Sequence, residues 1–104
     1  MTIETHARKR LEMIIEQPHL PQFIRLFEQQ DVRGYTVLDS KSGKGSRGFW
    51  SPARLSSVDD RVMIVAVADE ETIQRVLSEL QALFEQLPGV AFVSDVQVIR
   101  PDRF

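Results

Sequence analysis

The chain contains no cysteine and no asparagine, and only one tyrosine, one tryptophan and two histidines in 104 residues. Without cysteine there is no disulfide framework, no thiol nucleophile and no thiolate metal site. His6 and His19 stand apart from any second histidine or carboxylate at ligand spacing, so both read as surface polar residues and no metal is expected. No apolar run approaches the length of a membrane span. Near the start, Glu4, His6, Arg8, Lys9 and Arg10 have no apolar segment behind them, which gives the expectation of a short polar leader over residues 1–7 and a soluble, cytoplasmic protein. Charge of one sign is also scarce. A net charge of -2 implies no partner by itself, and nucleic acid would draw a larger basic field than this one.

What is present is ordinary globular material: 42% apolar and 27% charged residues, which argues against disorder. The length fits a single domain, residues 1–104, with so small a core that an oligomer would be unsurprising. Leu11, Met13 and Ile15 alternate with Glu12, Ile14 and Glu16, the period of a strand, and Pro18 stops it. Pro21 then opens a short amphipathic helix carrying Leu20, Phe23, Ile24 and Phe27, which ends before Gly34. A second strand follows over residues 35–40. Residues 61–67 are apolar at nearly every position and predict a third strand, central in its sheet. Ile73, Val76, Leu77, Leu80, Leu83, Phe84 and Leu87 mark one face of a helix over residues 70–87, with Asp69 as its N-cap and Pro88-Gly89 as its end. Residues 90–99 supply the last strand.

The order βαββαβ predicts an α+β, ferredoxin-like fold: a four-stranded antiparallel sheet with both helices on one face. Apolar residues occur at both phases of the strands, Leu11 and Ile14 or Val62 and Met63, so subunit packing is the natural cover for the second face.

Between the second and third strands lies a long loop, residues 41–60. It begins Lys41-Ser42-Gly43-Lys44-Gly45-Ser46-Arg47-Gly48. Three glycines allow backbone N–H groups to turn toward one point, and Lys44 and Arg47 bring positive charge there, which suits an anion such as phosphate. The spacing Gly43-x-Gly45-x-x-Gly48 copies the dinucleotide fingerprint in letters only, because Phe49-Trp50-Ser51-Pro52 stands where that fingerprint needs a helix. A loop whose charges are merely solvated is the alternative.

The run Gly34-Tyr35-Thr36-Val37 leading into Gly43-Lys44-Gly45-Ser46-Arg47 resembles the PII signalling superfamily, closest to its carboxysome-associated and bicarbonate-transport-associated branch. The resemblance covers nearly the whole chain. It implies a ferredoxin-like homotrimer that binds adenine nucleotides between subunits and signals through the T-loop, here residues 41–60. Thr36 would meet the ribose or phosphate, Gly43, Lys44, Gly45, Ser46 and Arg47 would form the phosphate-binding loop base, Gly89 would approach the adenine, and Arg103 would reach a phosphate. Bicarbonate is a second implied ligand, and a bicarbonate transporter or carboxysome-related protein an implied partner. Only Leu87-Pro88-Gly89 joins the second helix to the last strand, in place of the long glycine-rich loop that wraps a triphosphate, so ADP or AMP is expected over ATP. The sole tyrosine, Tyr35, lies in a strand, leaving no tyrosine in the loop to modify.

Phe49, Trp50 and Arg54 form a candidate partner-binding stretch, since Pro52 and the glycines hinder a regular element that would bury both rings. Serving as a stacking platform for a base and simply tucking the loop against the sheet are the other uses for Phe49 and Trp50. Enzyme readings are weak: no nucleophile elbow and no recognisable carboxylate pair occurs, and the lack of asparagine removes the amide used by ferredoxin-like acylphosphatases. A small nucleotide-hydrolysing or phosphotransfer enzyme using the same loop remains the second reading. An RNA-binding module would need aromatic residues on the third strand, and residues 61–67 have none.

Overall fold

The computed structural model describes residues 1–45, 48–50 and 60–104, positions 49 and 50 by their backbone alone. In chain order the elements are β1 (His6–Glu16), a 3-10 turn (Gln17–His19), α1 (Leu20–Gln29), β2 (Tyr35–Ser40), β3 (Gly43–Gly45) and β4 (Gly48–Trp50). They continue with β5 (Arg61–Ala68), α2 (Glu70–Leu83), β6 (Gly89–Val98) and a 3-10 turn (Pro101–Arg103). The main sheet runs β2-β5-β1-β6, antiparallel throughout, and β3 and β4 form a separate hairpin. The expected ferredoxin-like order is therefore the one found, with β5 inside the sheet.

The pleat sorts the side chains into two layers. Leu11, Met13 and Ile15 of β1 pair with Ala66, Ile64 and Val62 of β5, and all six are buried with Phe23, Leu26 and Phe27 of α1 and Ile73, Val76 and Leu80 of α2. The intervening residues form the opposite face. There Ile14 pairs with Met63 and Val90, Leu38 with Met63, and Glu12 with Phe92, leaving Leu38, Val90 and Phe92 exposed.

Beyond one-residue shifts such as β6 at Gly89–Val98 for the expected 90–99, three features differ from the sequence expectation. β1 begins at His6 instead of Leu11, so part of the expected leader is strand: His6 and Ala7 pair with Val98 and Gln97. Lys9 is held to Asp95 across the same ladder. α2 stops at Leu83, and the next residues tighten, Glu85 N–H donating to Ala82 O at 3.2 Å and Gln86 N–H to Leu83 O at 3.0 Å. The third difference is the β3–β4 hairpin inside the expected loop, too short and glycine-rich to carry an alternating pattern.

Past β6 the chain turns back along the end of the sheet where β1 and β2 begin. Arg8 donates to Pro101 O at 3.2 Å and Arg33 to Asp102 O at 2.7 Å, fixing the terminal 3-10 turn there.

Candidate functional site

A cleft of about 670 Å³ opens at the other end of the sheet, where β1 and β2 finish and β5 and β6 start. Antiparallel register builds its floor: Ile15 lies opposite Gly89 and Glu16 opposite Arg61, so residues far apart in sequence share one edge. One wall is the turn after α2, which contributes Phe84, Leu87 and Pro88. Facing it, the β3–β4 hairpin contributes Lys44, Gly45 and Gly48.

Two glycines are needed for this shape. Gly48 has φ of +105°, left-handed backbone that follows from the tight return between the hairpin strands and strains any larger residue. Gly89 has φ of +153°, and a Cβ there would lie 2.7 Å from Phe84 Cε1, 3.0 Å from Ile15 Cγ2 and 3.2 Å from the Ile14 carbonyl oxygen. The first residue of β6 can therefore lie close beneath the aromatic wall only as glycine. Phe84 is itself fixed by Phe23, their ring centroids 5.7 Å apart.

The lining combines apolar and charged groups. Phe84, Leu87, Pro88 and Val90 offer a surface on which a flat ring can lie. The charges of the lining come from Lys44, Arg61, Glu16, the last residue of β1, and Glu85 in the turn after α2. Glu16 Oε2 is 3.4 Å from Arg61 Nη2, and Glu16 Oε1 is 3.6 Å from His19 Nδ1. Both Glu16 and Arg61 keep only 15% of their side-chain exposure, so their pairing is less screened than one in open solvent.

Of the residues expected from the sequence, Lys44, Gly45 and Gly89 come together in this cleft, and Gly43 stands beside them as the first residue of β3. Thr36 and Arg103 do not join them within one chain. Thr36 pairs with Val65 on the uncovered face of edge strand β2, and Arg103 belongs to the terminal turn at the opposite end of the sheet. Strands rise roughly 3.3 Å per residue, which puts about 30 Å between the two ends of β1. Ser46, Arg47 and Arg54 lie outside the described residues, as do the side chains of Phe49 and Trp50.

Sequence reasoning missed Glu16, Arg61, Leu87 and the second use of Phe84. Glu16 closes one strand and Arg61 opens another, and only their register opposite each other reveals a shared site. Among the described residues no group of three histidine, aspartate or glutamate side chains is placed to hold a metal ion. Nor is any helix among them long and apolar enough to cross a membrane.

An antiparallel sheet with both helices on one face, an uncovered second face and a lysine-bearing hairpin over an end cleft defines a ferredoxin-like α+β protein built around an anion-compatible site. The model of the nitrogen regulatory protein P-II family matches residues 8–103, and the chain belongs to that family. It is similar to CPII, a nitrogen regulatory PII-like protein from Thiomonas intermedia K12, in a structure bound to ADP, AMP and bicarbonate. The two share 36% identity over 99% of this chain and 98% of that one, with a TM-score of 0.89. The apo form of the same CPII matches at 34% identity over 93% and 97% of the chains, with a TM-score of 0.75. A PII-like signaling protein from Thermus thermophilus, at 21% identity, TM-score 0.82 and coverage of 98% and 99%, shares the fold. No curated protein matches this chain. A trimeric assembly fits membership of the family.

Proposed function

We propose that this protein is a cytoplasmic PII-like signal-transduction protein, without enzymatic activity, that binds ADP or AMP in clefts between the subunits of a trimer. Bicarbonate acts with the nucleotide, and the signal passes through residues 41–60 to a transporter or carboxysome-related partner of inorganic-carbon uptake. The observation that carries this reading is the cleft in which the Lys44 hairpin faces the Phe84–Gly89 turn. The apolar wall takes the adenine, and Lys44 with the glycine backbone takes the phosphates, each charge-assisted hydrogen bond contributing about 1.5–3 kcal/mol. CPII from Thiomonas intermedia, bound to ADP, AMP and bicarbonate, supports the choice of ligands.

The separation of the two residue sets supports a composite site. Lys44, Gly45 and Gly89 stand at one end of the sheet, Thr36 in its middle row opposite Val65, and Arg103 at the far end, so Thr36 and Arg103 reach a bound nucleotide from a neighbouring subunit. Packing of the uncovered sheet faces brings the neighbours together. The short connection through Leu87, Pro88 and Gly89 leaves no loop to wrap a third phosphate, which favours ADP and AMP.

Titration calorimetry with AMP, ADP and ATP, at zero and saturating bicarbonate and constant ionic strength, tests the proposal. ADP or AMP should bind, and bicarbonate should change ADP affinity by the factor by which ADP changes bicarbonate affinity. Superimposed ADP curves would remove bicarbonate from the proposal, and no binding of any nucleotide would remove the proposal. In Arg47→Ala, nucleotide affinity should fall about tenfold or more with the trimer intact. Release of phosphate or ADP from ATP would favour the hydrolase reading instead.

A further inference from the structure

We infer that Glu16 determines how many phosphates the cleft accepts, by setting a fixed negative charge beside Arg61; the inference rests on the nucleotide reading above. Glu16 and Arg61 both line the cleft, at the adjoining ends of β1 and β5 where they pair in register. Their carboxylate and guanidinium approach to 3.4 Å with 15% side-chain exposure each. A guanidinium beside a phosphate pocket ordinarily rewards every added negative charge. Here that reward is largely cancelled at its source, because the Glu16 carboxylate lies between Arg61 and His19 and repels the same phosphates.

The rest of the described lining does not restore the balance. Lys44 is the other cation and Glu85 the other anion, so positive and negative groups are equal in number among the described lining residues. A monophosphate satisfied by Lys44 and the glycine backbone meets little of this repulsion. Each further phosphoryl group brings more negative charge into the reach of Glu16, and repulsion across a partly enclosed cleft is weakly screened. Glu16 thus selects by charge, independently of the short Leu87-Pro88-Gly89 connection, which selects by space.

The test compares AMP, ADP and ATP affinities of the wild-type protein and Glu16→Gln by calorimetry at constant ionic strength. Glutamine keeps the length and shape of Glu16 and one acceptor oxygen for Arg61, and removes its charge. The ratio of ATP to AMP affinity should rise about fivefold or more, with ADP between them. A uniform change across the three nucleotides, or none, overturns the inference while leaving the nucleotide site standing. If neither protein binds any of the three, both the site and the inference fall. Should Glu16→Gln not fold, Arg61→Gln supplies the second reading: Glu16 is then uncompensated, and the ATP to AMP ratio should drop below wild type. An unchanged ratio in that variant also overturns the inference.

Discussion

Ile64 and Met63 are neighbours in β5, yet they belong to different environments. Ile64 is fully buried beneath the helices, between Met13 and Val37 in register, whereas Met63 points the other way, between Ile14 and Leu38 on the uncovered face. The covered face is closed within one chain: Phe23, Phe27, Ile73, Val76 and Leu80 descend on it from α1 and α2. The other face carries the apolar Ile14, Met63, Leu38, Val90 and Phe92, interrupted by polar residues such as Thr36, Ser94 and the pair Arg10 and Glu12, 2.8 Å apart. One face therefore holds the fold of the chain together, and the other is left open in the single chain. The candidate cleft lies at the border between them.

The sharpest test of this division is a pair of truncations. Ile64→Ala should cost about 2–5 kcal/mol, because it removes buried methyl groups and leaves a cavity that the sheet cannot close. Met63→Ala should change the stability of a dissociated chain by less than about 1 kcal/mol and act instead on the concentration dependence of the melting temperature. Urea unfolding at several protein concentrations separates the two effects. Equal losses at all concentrations would mean that both faces are covered within a single chain.

Phe92→Asp attacks the open face from its edge strand. Phe92 is about half exposed in the isolated chain, so a carboxylate there is tolerated by the monomer and buried without a partner in the assembly. Light scattering should show the mass falling from a trimer to a single chain, while far-UV circular dichroism keeps the helical signal. Retention of the trimer would place the subunit interface elsewhere.

At the border, Gly89→Ala should destabilise the chain by about 1–3 kcal/mol, since its Cβ meets Phe84 Cε1 at 2.7 Å in backbone that favours glycine. Relief by movement of Phe84 also alters the apolar wall, so ADP affinity should fall with it. Thermal melting together with ADP titration checks both. Loss of stability with unchanged ADP affinity would make Gly89 a packing residue alone.

How much of this was legible beforehand follows the same division. The bounds of β2 and the start of β5 were readable because their apolar periods begin and end at loop residues. The first residues of β1 were not, since His6, Arg8 and Lys9 have no apolar alternation and are held by cross-strand partners such as Val98 and Asp95. Lys44 and Gly45 stood out by motif and Gly89 by its turn and by the family resemblance, and all three line the cleft. Glu16 and Arg61 did not, because a strand end is an ordinary place for a charge and only the register makes them neighbours.

The smallest effect belongs wholly to the covering layer. Asp69 caps α2, its side chain accepting the Thr72 backbone N–H at 2.8 Å, and this hydrogen bond is the main cause holding the Asp69 carboxyl below its ordinary pKa. A carboxyl depressed in the folded state stabilises fully above its unfolded pKa and loses that contribution as pH falls through the folded one. Asp69→Ala should cost about 1 kcal/mol near neutral pH. The gap between the two proteins should then narrow as the solution is taken below pH ~3.9, the ordinary aspartate value. Asp69→Asn keeps a capping oxygen without the titration, so its stability should approach the wild type at low pH more closely than that of the alanine variant. Trimer mass and ADP affinity should stay as they are in both variants, because the cap stands on the helix side of the sheet. A change in either would show that the two faces are coupled through α2, which is the outcome that would undo the separation between folding and association.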